Sequence, residues 1–224
     1  MSGIGTVVSA RTASTRLFGK ALLPLDGVPM VEFLLERIRD TRLGGQVIFA
    51  TTRRADDDTL AAHVAALGIA VFRGADADVA GRHVGVAQAF GLDWIVRVTG
   101  DCPFVDAASL DFCLAQWNAL EETDLISTKG VFPVGIDYEL FSAATIAREW
   151  PRMSEEEQEH LTLRLYRPEL EFMTRRFAKP PSWRPTESKY VVDTPEDYER
   201  AVRVVRKLGG RRFSIEDLLQ VTDE

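Results

Sequence analysis

Sulfur and imidazole are scarce in this chain: 224 residues include two cysteines, Cys102 and Cys113, and three histidines. Two cysteines cannot frame a disulfide-stapled fold, and their spacing matches no zinc ligand pair. Apolar runs long enough to cross a bilayer, ~20 residues, are missing. No basic stretch followed by an apolar core opens the chain, so neither a membrane span nor a secretory leader is expected. A basic excess is lacking too. The formal net charge is -7, which argues against a general nucleic-acid binder with a basic face. Internal repeats and low-complexity segments are also absent. These absences leave a cytoplasmic protein expected to form a single domain over residues 1–224, with small molecules as partners.

What is present is an ordinary globular composition, 46% hydrophobic and 27% charged, long enough to bury a sizeable core. Short apolar runs alternate with amphipathic helical patterns, which predicts an α/β fold on a predominantly parallel, doubly wound sheet. Strands are expected at 5–10, 46–51, 69–73 and 94–98, and helices at 29–42, 56–67, 78–90 and 107–120. The rhythm then changes. Strands at 125–128 and 135–141 precede a short helix at 143–150, a helical stretch at 155–166, an extended segment at 170–177 and a proline-rich loop at 179–185. A strand at 190–192 and a helix at 195–208, capped by Thr194 with proline at its first position, return to the main body. Residues 129–185 are therefore expected to form a small inserted lobe.

The acidic runs Asp56-Asp57-Asp58 and Glu155-Glu156-Glu157 read as solvated helix starts rather than metal sites. His63 and His83 match no ligand spacing, and Trp94 and Trp117 fit core positions. Phe132, Phe141 and Trp150 read either as a dimer surface or as packing within the lobe.

Chemistry concentrates at three strand ends. The first is the loop Ala10-Arg11-Thr12-Ala13-Ser14-Thr15-Arg16-Leu17-Phe18-Gly19-Lys20. Its small residues allow a ligand close to the backbone, whose amides can cradle an anion. Arg11, Arg16 and Lys20 add charge-assisted donors for phosphate oxygens. The loop reads as a triphosphate cradle, or alternatively as a solvated basic loop. The second is Arg97-Val98-Thr99-Gly100-Asp101-Cys102-Pro103, where Asp101 reads as a Mg²⁺ ligand or as a turn or capping aspartate. The third is Val192-Asp193-Thr194-Pro195-Glu196-Asp197, in which Asp193 could join Asp101 in space. Two carboxylates and a cationic loop are the parts that phosphoryl or nucleotidyl transfer requires.

These segments resemble a known family. Residues 10–20 are similar to the Ala-Arg-x-x-Ser-Thr-Arg-Leu-Pro-Gly-Lys signature of the CTP-dependent cytidylyltransferases that activate 3-deoxy-manno-octulosonate and sialic acids, with Phe18 in place of proline. Thr99-Gly100-Asp101-Cys102-Pro103 and Asp193-Thr194-Pro195-Glu196-Asp197 resemble its two later motifs. Phe72-Arg73-Gly74 and Glu159-His160-Leu161-Thr162 are similar to the branch of spore-coat polysaccharide biosynthesis protein F. The stretch from Gly74 to Arg82 lacks the Gly-Thr-Glu-Arg pattern of the octulosonate enzymes.

The resemblance implies a Rossmann-like nucleotide-diphospho-sugar transferase fold and Mg²⁺-dependent transfer of CMP from CTP to a sugar or sugar acid. Arg16, Lys20 and Asp101 would be catalytic, and Asp101 and Asp193 would hold the metal. Ala10, Arg11, Ser14, Arg16, Lys20, Ala50, Thr51, Arg73, Thr99 and Gly100 would contact the nucleotide. Gly135, Asp137, Glu139, Glu159, His160 and Tyr166 would face the sugar, although Asp137 and Glu139 also read as surface charges and His160 as an exposed histidine among glutamates. A homodimer is implied as well. Two rivals stay open: a non-catalytic nucleotide-binding or scaffold protein of the same fold, and a transferase using another nucleoside triphosphate.

Overall fold

A computed structural model describes residues 3–117, 122–184 and 186–221. Its main sheet has seven strands: β1 (Ile4–Ser9), β4 (Gln46–Thr52), β5 (Ala70–Gly74), β6 (Trp94–Thr99), β7 (Leu125–Ser127), β8 (Glu139–Ser142) and β9 (Thr174–Arg176). They lie in the order β5-β4-β1-β6-β8-β7-β9. Two short strands, β2 (Pro24–Leu25) and β3 (Val28–Pro29), make a separate hairpin. All neighbours in the main sheet are parallel except β8, which runs against β6 and β7.

The central strands are apolar on both sides, as strands sandwiched between helices must be. Val8, Phe49, Val96 and Leu140 point to one face, where α1 (Met30–Ile38), α2 (Asp58–Ala66), α4 (Ala107–Leu114), α7 (Pro195–Lys207) and α8 (Ile215–Leu218) cover them. Val7, Ile48, Ile95 and Phe141 point to the other, under α3 (Val79–Phe90) and α5 (Ala143–Glu149), with α6 (Glu155–Glu159) packed beside α3. Each fully buried side chain of this kind contributes about 1.5–3 kcal/mol.

Several expected elements stop early, for local reasons. The first helix ends at Ile38, before the expected 42, because Asp111 captures residues 41–43. Its carboxylate accepts from the Thr41 hydroxyl at 2.7 Å and from the backbone N–H groups of Arg42 and Leu43. The helix expected to 120 is α-helical to Leu114, and its last positions lie outside the described residues. The expected strand 135–141 begins only at Glu139, since Asp137 turns back to accept from the Gly135 N–H at 2.8 Å. The helical stretch 155–166 divides after Glu159, and a short 3₁₀ turn, Leu163–Tyr166, comes after the break. Between the two pieces Thr162 turns inward and donates its hydroxyl to buried Glu139.

Residues 129–185 do not stand apart as a lobe, because β8 and β9 from this segment join the main sheet. Phe132 and Phe141 are buried in the chain's own core, and Trp150 packs against the cluster around Phe141 while donating its indole N–H to Asp78. None of the three forms an open dimer face. Trp94 and Trp117 meet edge to face with centroids 4.9 Å apart.

Candidate active site

A cleft of about 420 Å³ opens at the carboxyl ends of β1 and β6. The chain steps outward from β1 to β4 and β5 on one side, then returns to β6 on the other. Ligands of open α/β sheets bind at such a reversal.

The loop after β1 forms one wall. Its anchor is Asp57, which is buried rather than solvated. Asp57 accepts the Thr12 N–H at 2.7 Å through one oxygen and the Thr52 hydroxyl through the other. Burial pushes this carboxyl up, but those donors more than offset the push and hold it below the usual carboxylate value. The Thr12 carbonyl accepts from Ser14 and Gly19, each at 2.9 Å, closing the loop on itself. Gly19 adopts φ 70°, a left-handed conformation suited to glycine, and turns the chain into the 3₁₀ turn Lys20–Leu22. Lys20 consequently points inward.

The Lys20 ammonium is the hub of the site. It donates to Asp101 Oδ2 at 3.2 Å, Asp193 Oδ1 at 2.8 Å and the Val192 carbonyl at 2.9 Å. Arg16 meets the other Asp193 oxygen at 2.9 Å. Residues 190–192 were expected to form a strand and do not join the sheet. Instead Val192 donates its N–H to the Asp101 carbonyl at 2.8 Å, which sets Asp193 beside Asp101. Gly100 permits the close approach of the chain leaving β6 to the chain leaving β1, since a Cβ there would lie 2.6 Å from Ala10 Cβ. Burial raises the Asp101 carboxyl, yet Lys20 and the Thr99 hydroxyl hold it below its ordinary value, so it is ionised at neutral pH. The neighbouring Cys102 thiol, pushed well up by burial, stays protonated.

Arg11 crosses the cleft to Asp76 at 3.1 Å and to Glu159 at 3.2 Å. His160, just beyond α6, lines the same wall.

Residues 6–217 match the model of the cytidylyltransferase family. This chain belongs to that family. It is 31% identical over 218 residues to the spore coat polysaccharide biosynthesis protein SpsF of Bacillus subtilis, covering 94% of this chain and 90% of that protein. It is 38% identical over 114 residues to the 3-deoxy-manno-octulosonate cytidylyltransferase of Geobacter sulfurreducens, covering 50% of this chain and 44% of that enzyme. A solved cytidylyltransferase from Leptospira borgpetersenii superposes with a TM-score of 0.89 at 26% identity, over 98% of this chain and 93% of the other.

Of the residues that the sequence singled out, Ala10, Arg11, Ser14, Arg16, Lys20, Thr99, Gly100, Asp101, Glu159, His160 and Asp193 line the cleft of this cytidylyltransferase. Others lie elsewhere. Ala50 and Thr51 are completely buried within β4, between β1 and β5, and do not line it. Arg73 is tied down outside, donating to the Thr52 and Arg54 carbonyls, each at 2.7 Å, and pairing with Asp58 at 2.6 Å. Gly135, at φ 92°, is packed so closely on Val191 that a Cβ would meet its nitrogen at 2.0 Å; its role is to let the chain pass. Asp137 caps that turn, and its carboxyl is raised by burial.

Glu139 is neither a surface charge nor a cleft-lining group. It is 1% exposed and accepts from Arg97, Lys129, Thr162 and Tyr166. Tyr166 gives its one phenolic proton to Glu139 at 2.7 Å, and its oxygen accepts from the Ser127 hydroxyl at 2.7 Å. Burial and the Glu139 charge raise its phenol above the ordinary tyrosine value. Cleft residues that the sequence reading did not assign include Ser9, Arg82 and Arg97. The two arginines carried a signal, being charged residues at inward-facing positions of a helix and a strand.

Proposed function

We propose that this protein transfers CMP from CTP to a sugar or sugar acid with release of pyrophosphate, in the assembly of a polysaccharide or glycoconjugate. The observation that carries the proposal is the convergence of Lys20, Arg16, Asp101 and Asp193 on one point of the cleft. Family membership supports the reaction class.

The residues fit a divalent cation. Two carboxylates already share one positive centre, the Lys20 ammonium, and among the described residues no third acidic, histidine or cysteine ligand joins them. Two carboxylates, with phosphate oxygens and water completing the shell, suit Mg²⁺. Asp101 and Asp193 would hold it, and when bound it neutralises charge on the phosphates.

The chain's own residues supply the rest. Loop amides and Ser14 receive phosphate oxygens, and Gly100 keeps the cleft floor low enough for the α-phosphate. An acceptor hydroxyl attacks the α-phosphorus, the bond to the bridging oxygen breaks, and the hydroxyl proton leaves to solvent. Arg16 and Lys20 stabilise the charge that accumulates on departing pyrophosphate. Little covalent work falls to the protein, so rate comes from positioning and electrostatics.

Among the described residues no helix is long and apolar enough to cross a membrane. Cytoplasmic residence, read from the cysteine usage, and a homodimer, by resemblance to the family, belong to the same reading; fractionation and sedimentation test them.

Calorimetric titration with CTP, UTP, GTP and ATP in Mg²⁺, then a pyrophosphate-release screen over sugars and sugar acids, tests the proposal. CTP should bind most tightly and at least one acceptor should release pyrophosphate. Tight CTP binding without release on any acceptor would favour a nucleotide-binding scaffold, and preference for another nucleotide would reassign the donor.

A further inference from the structure

Ser9 closes β1 and lines the cleft. Side chains alternate along a strand, so Ser9 faces the way Val7 does, toward α3. There its hydroxyl meets Nε2 of His83 at 3.2 Å. His83 is completely buried, and its Nδ1 lies 2.9 Å from the Val79 carbonyl, one turn back along α3.

That geometry fixes every proton in the pair. A carbonyl can only accept, so Nδ1 carries the hydrogen. Burial above all, with the charges of Arg97 and Arg82, pulls the imidazole pKa down to about 3, so the ring is neutral. A neutral ring has one N–H, which leaves Nε2 bare, and the Ser9 hydroxyl donates to it. An ordinary serine turns its proton toward whatever arrives. Ser9 has none to turn, and toward the cleft its oxygen can only accept.

The surroundings say what kind of donor fits. Arg82 and Arg97 are cations close to His83 and line the cleft, so an ammonium would be repelled and the donor is uncharged. Val79 is the largest apolar side chain among the described cleft residues, and it suits the face of a flat ring. Ala50, expected against the nucleotide, is sealed within the sheet. Ser9, its register partner on the next strand, reaches the cleft instead. Arg16 and Lys20, the phosphate-binding parts, are gathered at Asp101 and Asp193.

We infer that Ser9, held as an acceptor by His83, selects the base of the donor nucleotide: it accepts from the 4-amino group of cytosine and rejects the 4-keto oxygen of uracil. The inference rests on the proposed transfer reaction and assigns the group that chooses between CTP and UTP. Against Ser9, cytosine supplies an N–H where uracil supplies a second set of lone pairs. A site built for one hydrogen-bonding pattern rejects its inverse more strongly than it rejects a change of bulk.

The test uses the full chain with Mg²⁺, titrated calorimetrically with CTP, UTP and 2′-deoxy-CTP. Wild type should bind CTP at least ~10-fold more tightly than UTP. Ser9→Ala should bring the two within about threefold of each other, weakening CTP and 2′-deoxy-CTP alike. His83→Phe keeps a buried ring and frees the serine proton, so UTP should tighten at least ~5-fold. An intact wild-type preference in Ser9→Ala would overturn the inference. So would a loss confined to CTP and spared in 2′-deoxy-CTP, which would give Ser9 to a ribose hydroxyl. A wild-type preference for UTP would overturn it as well. Where a variant does not fold, the imidazole itself answers. Spectra of ¹⁵N-histidine protein, assigned with His63→Gln and His160→Gln, should show His83 protonated on Nδ1, bare at Nε2 and shifted by CTP. A hydrogen on Nε2, or a ring untouched by CTP, would overturn the inference. A wild-type chain that binds no nucleotide would sink the transfer reading and this inference with it. Tight CTP binding with an unaltered Ser9→Ala preference would leave the transfer reading standing and remove only the role of Ser9.

Discussion

Replacing Lys20 by methionine keeps the length of the side chain and removes the charge that joins Asp101 to Asp193. The side chain is 14% exposed and the two carboxylates 28% and 24%, so the cluster is neither a surface pair nor a dry one. Surface pairs contribute up to about 1 kcal/mol, and breaking a fully buried pair costs about 3–5 kcal/mol. The cost here should fall between them, at about 2 kcal/mol, which for a chain of this size lowers Tm by roughly 4–8 °C. Catalysis should suffer more. Losing one preorganised charge partner of the leaving group lowers kcat by ~10²–10³-fold.

A third consequence separates this geometry from a generic loss of charge. The ammonium occupies the point that Asp101 and Asp193 would offer a divalent cation, so the free Lys20→Met protein should bind Mn²⁺ at least ~10-fold more tightly than wild type, in keeping with removal of a like charge at contact distance. Free Mn²⁺ is counted by electron paramagnetic resonance, stability by a thermal melt and turnover by pyrophosphate release. A variant with wild-type Tm, turnover and Mn²⁺ affinity would refute the reasoning, since the ammonium would then not be the link between the two carboxylates.

Asp101→Asn should lower turnover at saturating CTP by ~10²-fold or more, because the ionised ligand is lost while the shape of the cleft floor is kept. Asp57→Ala strands the Thr12 N–H and the Thr52 hydroxyl in a buried setting. It should cost about 3 kcal/mol in a denaturant titration and weaken CTP binding in parallel. The native Asp57 carboxyl lies below its unfolded value, so its contribution is complete above the ordinary carboxylate range and is lost as pH falls through it. The gap between wild type and Asp57→Ala should therefore narrow below about pH 4. Gly100→Ala forces its methyl against Ala10, 2.6 Å away, and should cost about 1–3 kcal/mol and displace the start of the phosphate loop. Unchanged melting and CTP affinity in that variant would contradict the close approach of Gly100 to Ala10.

The parts of the site that were legible in the sequence sit at strand ends. There small residues, a glycine and a charged side chain in sequence announce a ligand-facing turn. The wound sheet then explains why Asp193, far along the chain, lands beside Asp101. The contact that does it is one hydrogen bond from Val192 to the Asp101 carbonyl, not the strand that the apolar run 190–192 predicted. Helix ends were less legible because distant side chains set them. Asp111 unwinds the chain after Ile38, and Glu139 draws Thr162 inward after α6. Nothing in the local pattern at 39–42 or 160–162 encodes either partner.

Buried charge is where reading by local motif fell furthest short, and the reason is physical. Asp57 and Glu157 stand inside acidic runs whose other members are mostly exposed, so composition alone describes the run and misses its inward member. Register would have found them. Val79, Arg82, His83 and Val86 recur at helical spacing on one face of α3, and on β6 Arg97 shares its face with Ile95. A cation at a core position of a central strand, with a second on the helix above it, cannot be explained by solvation, whereas every cation of the opening loop could be. The inward arginines are thus a pointer to the cleft that solvation does not supply: Glu139 pairs with Arg97, and Arg82 donates to the Asp76 carbonyl.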